Sequence, residues 1–307
     1  MEEQSRIRQT IEKERQQAQQ AALHRLTLLL PDNLQRRLNI AQEVGASNWL
    51  TTLPIKAKGF ALNKQEFRDA LALRYGWPVE GLPNDCGCGA DFNMIHAMIC
   101  KNGGFVCWRH DEVRDITVKM LKEVCIDVTS EPVLLRLEGE VLQHATANRS
   151  SDARVDLSAR GFWTRGQRAF ADIRIFDPMA ESHNQLTLEA AHRRNEQEKI
   201  RAYGERIQNI DRGTFTPLVF TTAGGMGPRA RLFYGRLAET LADKKQQPKS
   251  FITAWMRCRL SFSLLRSAIQ CLRGTRTSKR RPLRVESVES EDFEALVAES
   301  RIDMRLT

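Results

Sequence analysis

The run Ala169–Phe176 (AFADIRIF) constrains the fold most. It is an apolar, β-prone octapeptide ended by Pro178, with two charged residues two positions apart. Read as a strand, it puts Phe170, Asp172, Arg174 and Phe176 on one face and Ala171, Ile173 and Ile175 on the other. A carboxylate and a guanidinium then emerge side by side from an apolar element. Burying such groups is costly unless they pair or hold a metal. Either a salt bridge at a sheet edge or a functional pair satisfies that condition.

Elements on both sides of this run point to a mixed α/β chain. An amphipathic helix is expected over 111–124, with Val113, Ile116, Met120 and Val124 at steps of three and four. Two further strands are expected before the run, at Pro132–Leu137 and Arg154–Leu157. After it come a polar helix over 188–210, a strand at Pro217–Thr222 ending in the loop Ala223–Gly227, and helices over 229–243 and 250–272. The order is helix, three strands, helix, strand, then helices. Residues 2–30 read as a solvated helix, and Trp49–Trp77 as a small helical segment broken by Gly81, Pro83 and Gly87.

Four ligand-type side chains precede the strands. Cys86, Cys88, His96 and Cys100 have the spacing C-x-C-x7-H-x3-C. Three thiolates and an imidazole suit a tetrahedral zinc ion. His96 and Cys100 are four apart and can share a helix face. Two loop cysteines with an unrelated buried Cys100 are the simpler alternative. Cys107 is a substitute ligand; Cys125, Cys258 and Cys271 lie in apolar contexts and read as core.

Strand pairing could bring Asp156 close to Asp172. Two adjacent carboxylates form a hard oxygen site suited to Mg²⁺ or Mn²⁺. Such an ion can hold a phosphate and acidify a water, and a neighbouring cation, Lys199 or Arg174, can stabilise developing charge. His192, Glu196, Lys199 and Tyr203 recur as one polar stripe on the following helix, placed to overhang the acids.

Charge and hydropathy narrow the partners. The 307 residues carry 47 Lys+Arg against 38 Asp+Glu, a net charge of +9, which favours a polyanion such as nucleic acid. No apolar run approaches the ~20 residues of a membrane span. The N-terminus has no apolar signal core. These features lead to the expectation of an intracellular protein, nuclear or cytoplasmic and not secreted, with reduced cysteines. From Phe251 to Val285 there are nine Lys or Arg and no acid. The cluster Ser278–Arg281 reads as an import signal, a phosphate contact or an exposed charge run, and the last residues turn acidic.

Several segments together resemble a known family. They are Cys86…Cys100, GGFVCWRHDEVRD (Gly103–Asp115), ARVDLSARGFW (Ala153–Trp163), QRAFADIRIFDP (Gln167–Pro178), HRRNEQEKIRAY (His192–Tyr203) and TPLVFTTAGGMGP (Thr216–Pro228). In this order they resemble the C-terminal region of non-LTR retrotransposon polyproteins. There a zinc knuckle precedes a restriction-like endonuclease of the PD-(D/E)xK superfamily. Stand-alone metazoan open reading frames derived from such elements are similar. The resemblance spans roughly residues 45–275.

It implies an α/β, restriction-endonuclease-like core with a small zinc knuckle and flanking helices. The implied parts are a helical extension (1–44), a helical segment with the knuckle (45–108), the endonuclease domain (109–275) and a basic-then-acidic tail (276–307). Asp156 and Asp172 would be the metal-holding acids and Lys199 the displaced catalytic lysine. Glu112 would be an accessory acid, and Arg109 and His110 would contact DNA. Val155 stands where a proline is usual and Arg174 where a lysine is usual. The implied activity is Mg²⁺- or Mn²⁺-dependent nicking of target DNA for integration. Its partners would be DNA, element RNA and the reverse transcriptase of the parent element. The alternative is a catalytically decayed nucleic-acid-binding remnant.

Overall fold

A computed structural model describes residues 2–135 and 153–274. The import-type cluster Ser278–Arg281, the tail 276–307 and the last two residues of the expected strand Pro132–Leu137 lie outside the described residues. The chain begins with helix α1 (Glu2–Leu29), whose described side chains are almost all exposed. Next come α2 (Asp32–Gln42), α3 (Asn48–Thr51), α4 (Lys64–Tyr75), α5 (Met94–Ile99) and α6 (Phe105–Lys122). The sheet strands are β1 (Ile126–Ser130), β2 (Leu157–Arg160), β3 (Arg168–Phe176) and β4 (Thr214–Thr221). Between β3 and β4 run α7 (Glu181–Asn184), α8 (Leu188–Lys199), a π-helical turn (Ile200–Gly204) and α9 (Glu205–Asn209). The described chain closes with α10 (Pro228–Lys245) and α11 (Lys249–Arg273).

The four strands lie in the order β1-β2-β3-β4. The first two pairings are antiparallel and β3–β4 is parallel. The protein is thus a mixed α/β fold with an open sheet. Pro217 sits in β4, an edge strand, where a missing N–H is tolerated.

The expected face assignment of β3 is observed. Ala171 and Ile173 join Leu218 and Phe220 in the main core under α6, α10 and α11. Phe170 and Phe176 face the other way: Phe170 packs with Ile207, and Phe176 with Ala191 and Val219. Helices on both sides explain why the whole strand except Arg168, Arg174 and Ile175 is buried.

Two strand boundaries differ from expectation. The first strand is Ile126–Ser130, upstream of the expected Pro132–Leu137. β2 starts at Leu157, where the expected Arg154–Leu157 ends. The cause is local. Glu131 takes a left-handed backbone (φ 50°) and Pro132 has no N–H. The β1–β2 ribbon therefore breaks at Glu131 and Asp156, with the isolated bridge Val133–Arg154 beyond it among the described residues. Leu157, Ser158 and Ala159 are all buried, so β2 shows no polar alternation by which to recognise it. The first helix of the core also starts two turns earlier than expected, at Phe105.

Helix α11 is the common wall of the protein. Ile252, Trp255, Met256, Leu260 and Leu264 face the sheet-side core. Phe262, Leu265 and Ile269 pack with Trp49, Phe60 and Ala70. Ala268, Cys271 and Leu272 pack with Cys86, Phe92 and Met98. A helix covered on several faces reads as apolar nearly all round, as this one does.

Leu237 of α10 is fully buried, whereas Leu232 on the same helix is 69% exposed. Leu237→Ala is expected to cost about 2–5 kcal/mol of unfolding free energy in urea titration. Leu232→Ala should stay within about 0.5 kcal/mol.

Candidate functional site

The knuckle residues converge. Cys86 Sγ lies 3.7 Å from Cys100 Sγ, Cys88 Sγ lies 3.9 Å from Cys100 Sγ, and Cys88 Sγ is 3.4 Å from His96 Nε2. All four ligand atoms fall within 4.8 Å of one another. A tetrahedron with Zn–S near 2.3 Å and Zn–N near 2.0 Å has edges of about 3.8 Å between sulfurs and about 3.5 Å between sulfur and nitrogen. The side chains can therefore hold a metal ion such as zinc without rearrangement.

Local backbone chemistry sets this geometry. Cys86 N–H donates to Ala90 O and Gly89 N–H to Cys86 O (both 2.8 Å), which closes a tight loop. Gly89 adopts φ +89°, a conformation that disfavours a side chain. Asn93 caps α5 by accepting from His96 N–H (2.9 Å), and Cys100 is the C-terminal cap of that helix. The Ala90 N–H draws the Cys88 thiol below its ordinary range, while burial pushes Cys86 up. Cys107 lies on α6, outside the cluster. Cys125 and Cys258 are raised by burial, as thiols in apolar surroundings should be.

The carboxylate site arises where the sheet opens. The β2–β3 register ends at Leu157 and Ala171, and Asp156 is the next residue outward, close enough for its charge to act on Asp172. At Asp156 the strand bends away. The Ile173 N–H, which would continue the ladder, donates to Asp156 Oδ2 at 2.5 Å instead. His110 Nε2 reaches the same oxygen at 2.9 Å. Asp156 is thus clamped from β3 on one side and α6 on the other.

Asp172 is almost fully buried, and Lys199 Nζ lies 2.6 Å from its Oδ2. At that distance the ammonium is a charged partner held directly on the carboxylate oxygen. Burial, and then the Asp156 charge, push the Asp172 carboxyl up to about 6 despite Lys199. Burial works against the charge on Lys199, but Asp172 outweighs it and holds the ammonium above its ordinary value. Lys199 is the last residue of α8, where the π-helical turn begins. Its Nζ also lies 5.7 Å from the centre of the Tyr203 ring. A π turn shifts the helix register, and such turns recur at functional sites.

Other expected residues go elsewhere. Arg109 does not face nucleic acid: it is 1% exposed, its Nη2 donates to Met98 O at 3.0 Å, and Nη1 lies against Met98 and Cys271 sulfurs. It is a strut between α6, α5 and α11. Arg174 shares a face with Asp172, but its Nε donates to Asn195 Oδ1 at 3.2 Å, away from the acids. Glu112 is raised by burial and then by Asp115 and Asp111. Neither Asp156 nor Asp172 is among the charges acting on it. The polar stripe of α8 divides. His192 Nε2 contacts Glu43 Oε1 at 2.8 Å, and Glu196 Oε1 accepts from Arg229 N–H at 2.9 Å, capping α10. Only Lys199 and Tyr203 overlook the acids.

Sequence reasoning missed the acid partner of His110. Its Nδ1 lies 3.4 Å from Asp111 Oδ1, so the ring sits between two carboxylates. The adjacency of residues 110 and 111 was visible, but the long-range contact to Asp156 was not. No protein-family model matches the chain, and no curated protein matches it.

Two measurements follow. The purified chain should carry about one zinc per molecule by elemental analysis. Cys100→Ser should lose it together with thermal stability, because structural zinc contributes folding free energy directly. Burial opposes charge on His110, but Asp111 and Asp156 outweigh it and raise the ring to about 10. A raised folded-state value stabilises fully below the unfolded value of about 6.5. That contribution is lost as pH rises towards 10. In metal-free protein, stability should therefore fall more steeply between pH 7 and 10 in wild type than in His110→Gln, as read by denaturant titration across pH.

Proposed function

We propose that the chain is a divalent-metal-dependent DNA endonuclease module, built on a restriction-like core and stapled by a structural zinc knuckle. One observation carries this reading: Asp156, just before β2, lies near enough for its charge to act on Asp172 of β3, with Lys199 Nζ 2.6 Å from Asp172. The element order helix, three strands, helix, strand supports the restriction-like assignment. So do the resemblance of the motifs and the basic net charge.

Asp156 and Asp172 fit a hard cation such as Mg²⁺ or Mn²⁺. They are two carboxylates close enough for the charge of Asp156 to act on Asp172, and carboxylate oxygens are the donors such ions take. When bound, such an ion polarises a phosphate oxygen and lowers the pKa of water. Around it, His110 Nε2–H fixes the orientation of Asp156 Oδ2, and the Ile173 N–H holds the same oxygen from the strand. Lys199 supplies positive charge beside Asp172, where a phosphodiester accumulates charge during cleavage. Arg174, held by Asn195, serves as an outer contact rather than a catalytic group. The origin in a retrotransposon polyprotein, with target DNA, element RNA and a reverse transcriptase as partners, rests on the motif resemblance. Nuclear or cytoplasmic residence goes with it. No helix among the described residues is long and apolar enough to cross a membrane.

A second reading has its own support. His110 and Lys199 already neutralise the two acids without a metal. A chain that has lost cleavage but keeps a nucleic-acid-binding shell would hold its fold in this way.

Incubation of the chain with supercoiled plasmid and Mg²⁺ or Mn²⁺ separates the two readings. Nicking is expected, with at least ~100-fold loss in Asp156→Ala, Asp172→Ala and Lys199→Ala, and a loss under about tenfold in Arg174→Ala. Binding without cleavage under either metal would favour the remnant.

A further inference from the structure

Away from the carboxylates, the C-terminal end of α4 carries two exposed aromatic rings. Tyr75 and Trp77 stack with centroids 5.0 Å apart at 27°, and they are 39% and 52% exposed. An exposed aromatic pair is unusual when no packing requires it, and here the fold goes out of its way to present it. Gly76 between the rings adopts φ +73° and ends α4, which turns Trp77 back onto Tyr75.

Two arginines flank the same turn. Arg37 from α2 lies against Gly76 so closely that a Cβ there would meet its Nε at 2.4 Å. Its Nη1 donates to Leu73 O at 3.0 Å. Arg74 holds its guanidinium 5.5 Å from the Tyr75 ring centre and donates from Nη1 to Ser47 Oγ, with the rest of the group half-buried. Both arginines also line a cleft with Trp49, Leu73, Met98 and the acid Asp177, whose charge acts on Arg37.

We propose that Tyr75 and Trp77 form a stacking platform for an unpaired base of single-stranded DNA, with Arg37 and Arg74 meeting its phosphates. The chemistry matches an unpaired strand, and DNA is the strand that the nicking reading supplies. Aromatic faces accept any base, and guanidinium groups pair with phosphate oxygens, so ring and cation together match a nucleotide. A peptide partner of acidic character would use the arginines but not need two stacked rings. Duplex DNA hides its base faces and would gain nothing from them. The proposal deepens the nucleic-acid reading above: a nicking module meets unpaired strand beside its cut.

The test uses the full chain and fluorescein-labelled dT20, with rU20 and a 20-base-pair duplex as parallel arms, read by anisotropy. Trp77→Ala and Tyr75→Ala are each expected to weaken dT20 binding roughly 5- to 150-fold, the equivalent of 1–3 kcal/mol per stacked base. Trp77→Phe should recover part of that loss, and duplex binding should change less than about twofold. Circular dichroism confirms that the variants are folded. If folded Trp77→Ala binds dT20 as wild type does, or if rU20 is preferred to dT20, the proposal is overturned. Absence of plasmid nicking by the wild type would sink the endonuclease reading while leaving the dT20 result to stand or fall separately.

Discussion

The departure of β2 from β3 at Asp156 governs the arrangement of the carboxylates. A backbone N–H inside a sheet must find an acceptor, because leaving it unsatisfied in the core costs as much as a lost hydrogen bond. Where β2 bends away, Ile173 N–H has no strand carbonyl to meet and takes the Asp156 carboxylate instead. A side chain so constrained points between the strands, towards the face that carries Asp172. His110 then fixes the same oxygen from α6. The positions of the two acids thus follow from a gap in a ladder, and Lys199 answers the resulting concentration of negative charge.

The gap itself depends on a pair of backbone choices. Glu131 in a left-handed conformation and Pro132 without an N–H interrupt β1 opposite Asp156. Glu131 N–H to Asp156 O and Leu134 N–H to Ala153 O, both 2.9 Å, hold the two segments together across the break. On the far side, His192 and Glu196, which precede the π turn in α8, serve Glu43 and the start of α10. The lysine alone in that stretch reaches the acids, joined by Tyr203 at the rim.

Helix α11 ties this site to the knuckle. Its sheet-facing residues share a core with β3 and β4, while Cys271 and Leu272 touch the Cys86–Cys100 loop and its neighbours. Arg109 completes the tie, reaching from α6 to Met98 and Cys271. An arginine in that role is buried for packing and for satisfying a carbonyl, which is why its neighbour His110, and not Arg109, has a place at the carboxylates.

The amino-acid sequence alone determined the class of the fold, the two faces of β3, the helices α10 and α11, and the ligand set of the knuckle. Each is written in short-range periodicity or spacing: period two at 169–176, steps of three and four along the helices, and four ligands within fifteen residues. Tertiary structure decided the rest. Which acid partners His110, why Arg109 is inside, how the α8 stripe divides and where β2 begins all depend on contacts between distant residues, up to 162 positions apart. Local patterns fix which side of an element is apolar, but not which distant charge it will meet, because that is settled only when several elements pack and every buried polar atom competes for partners.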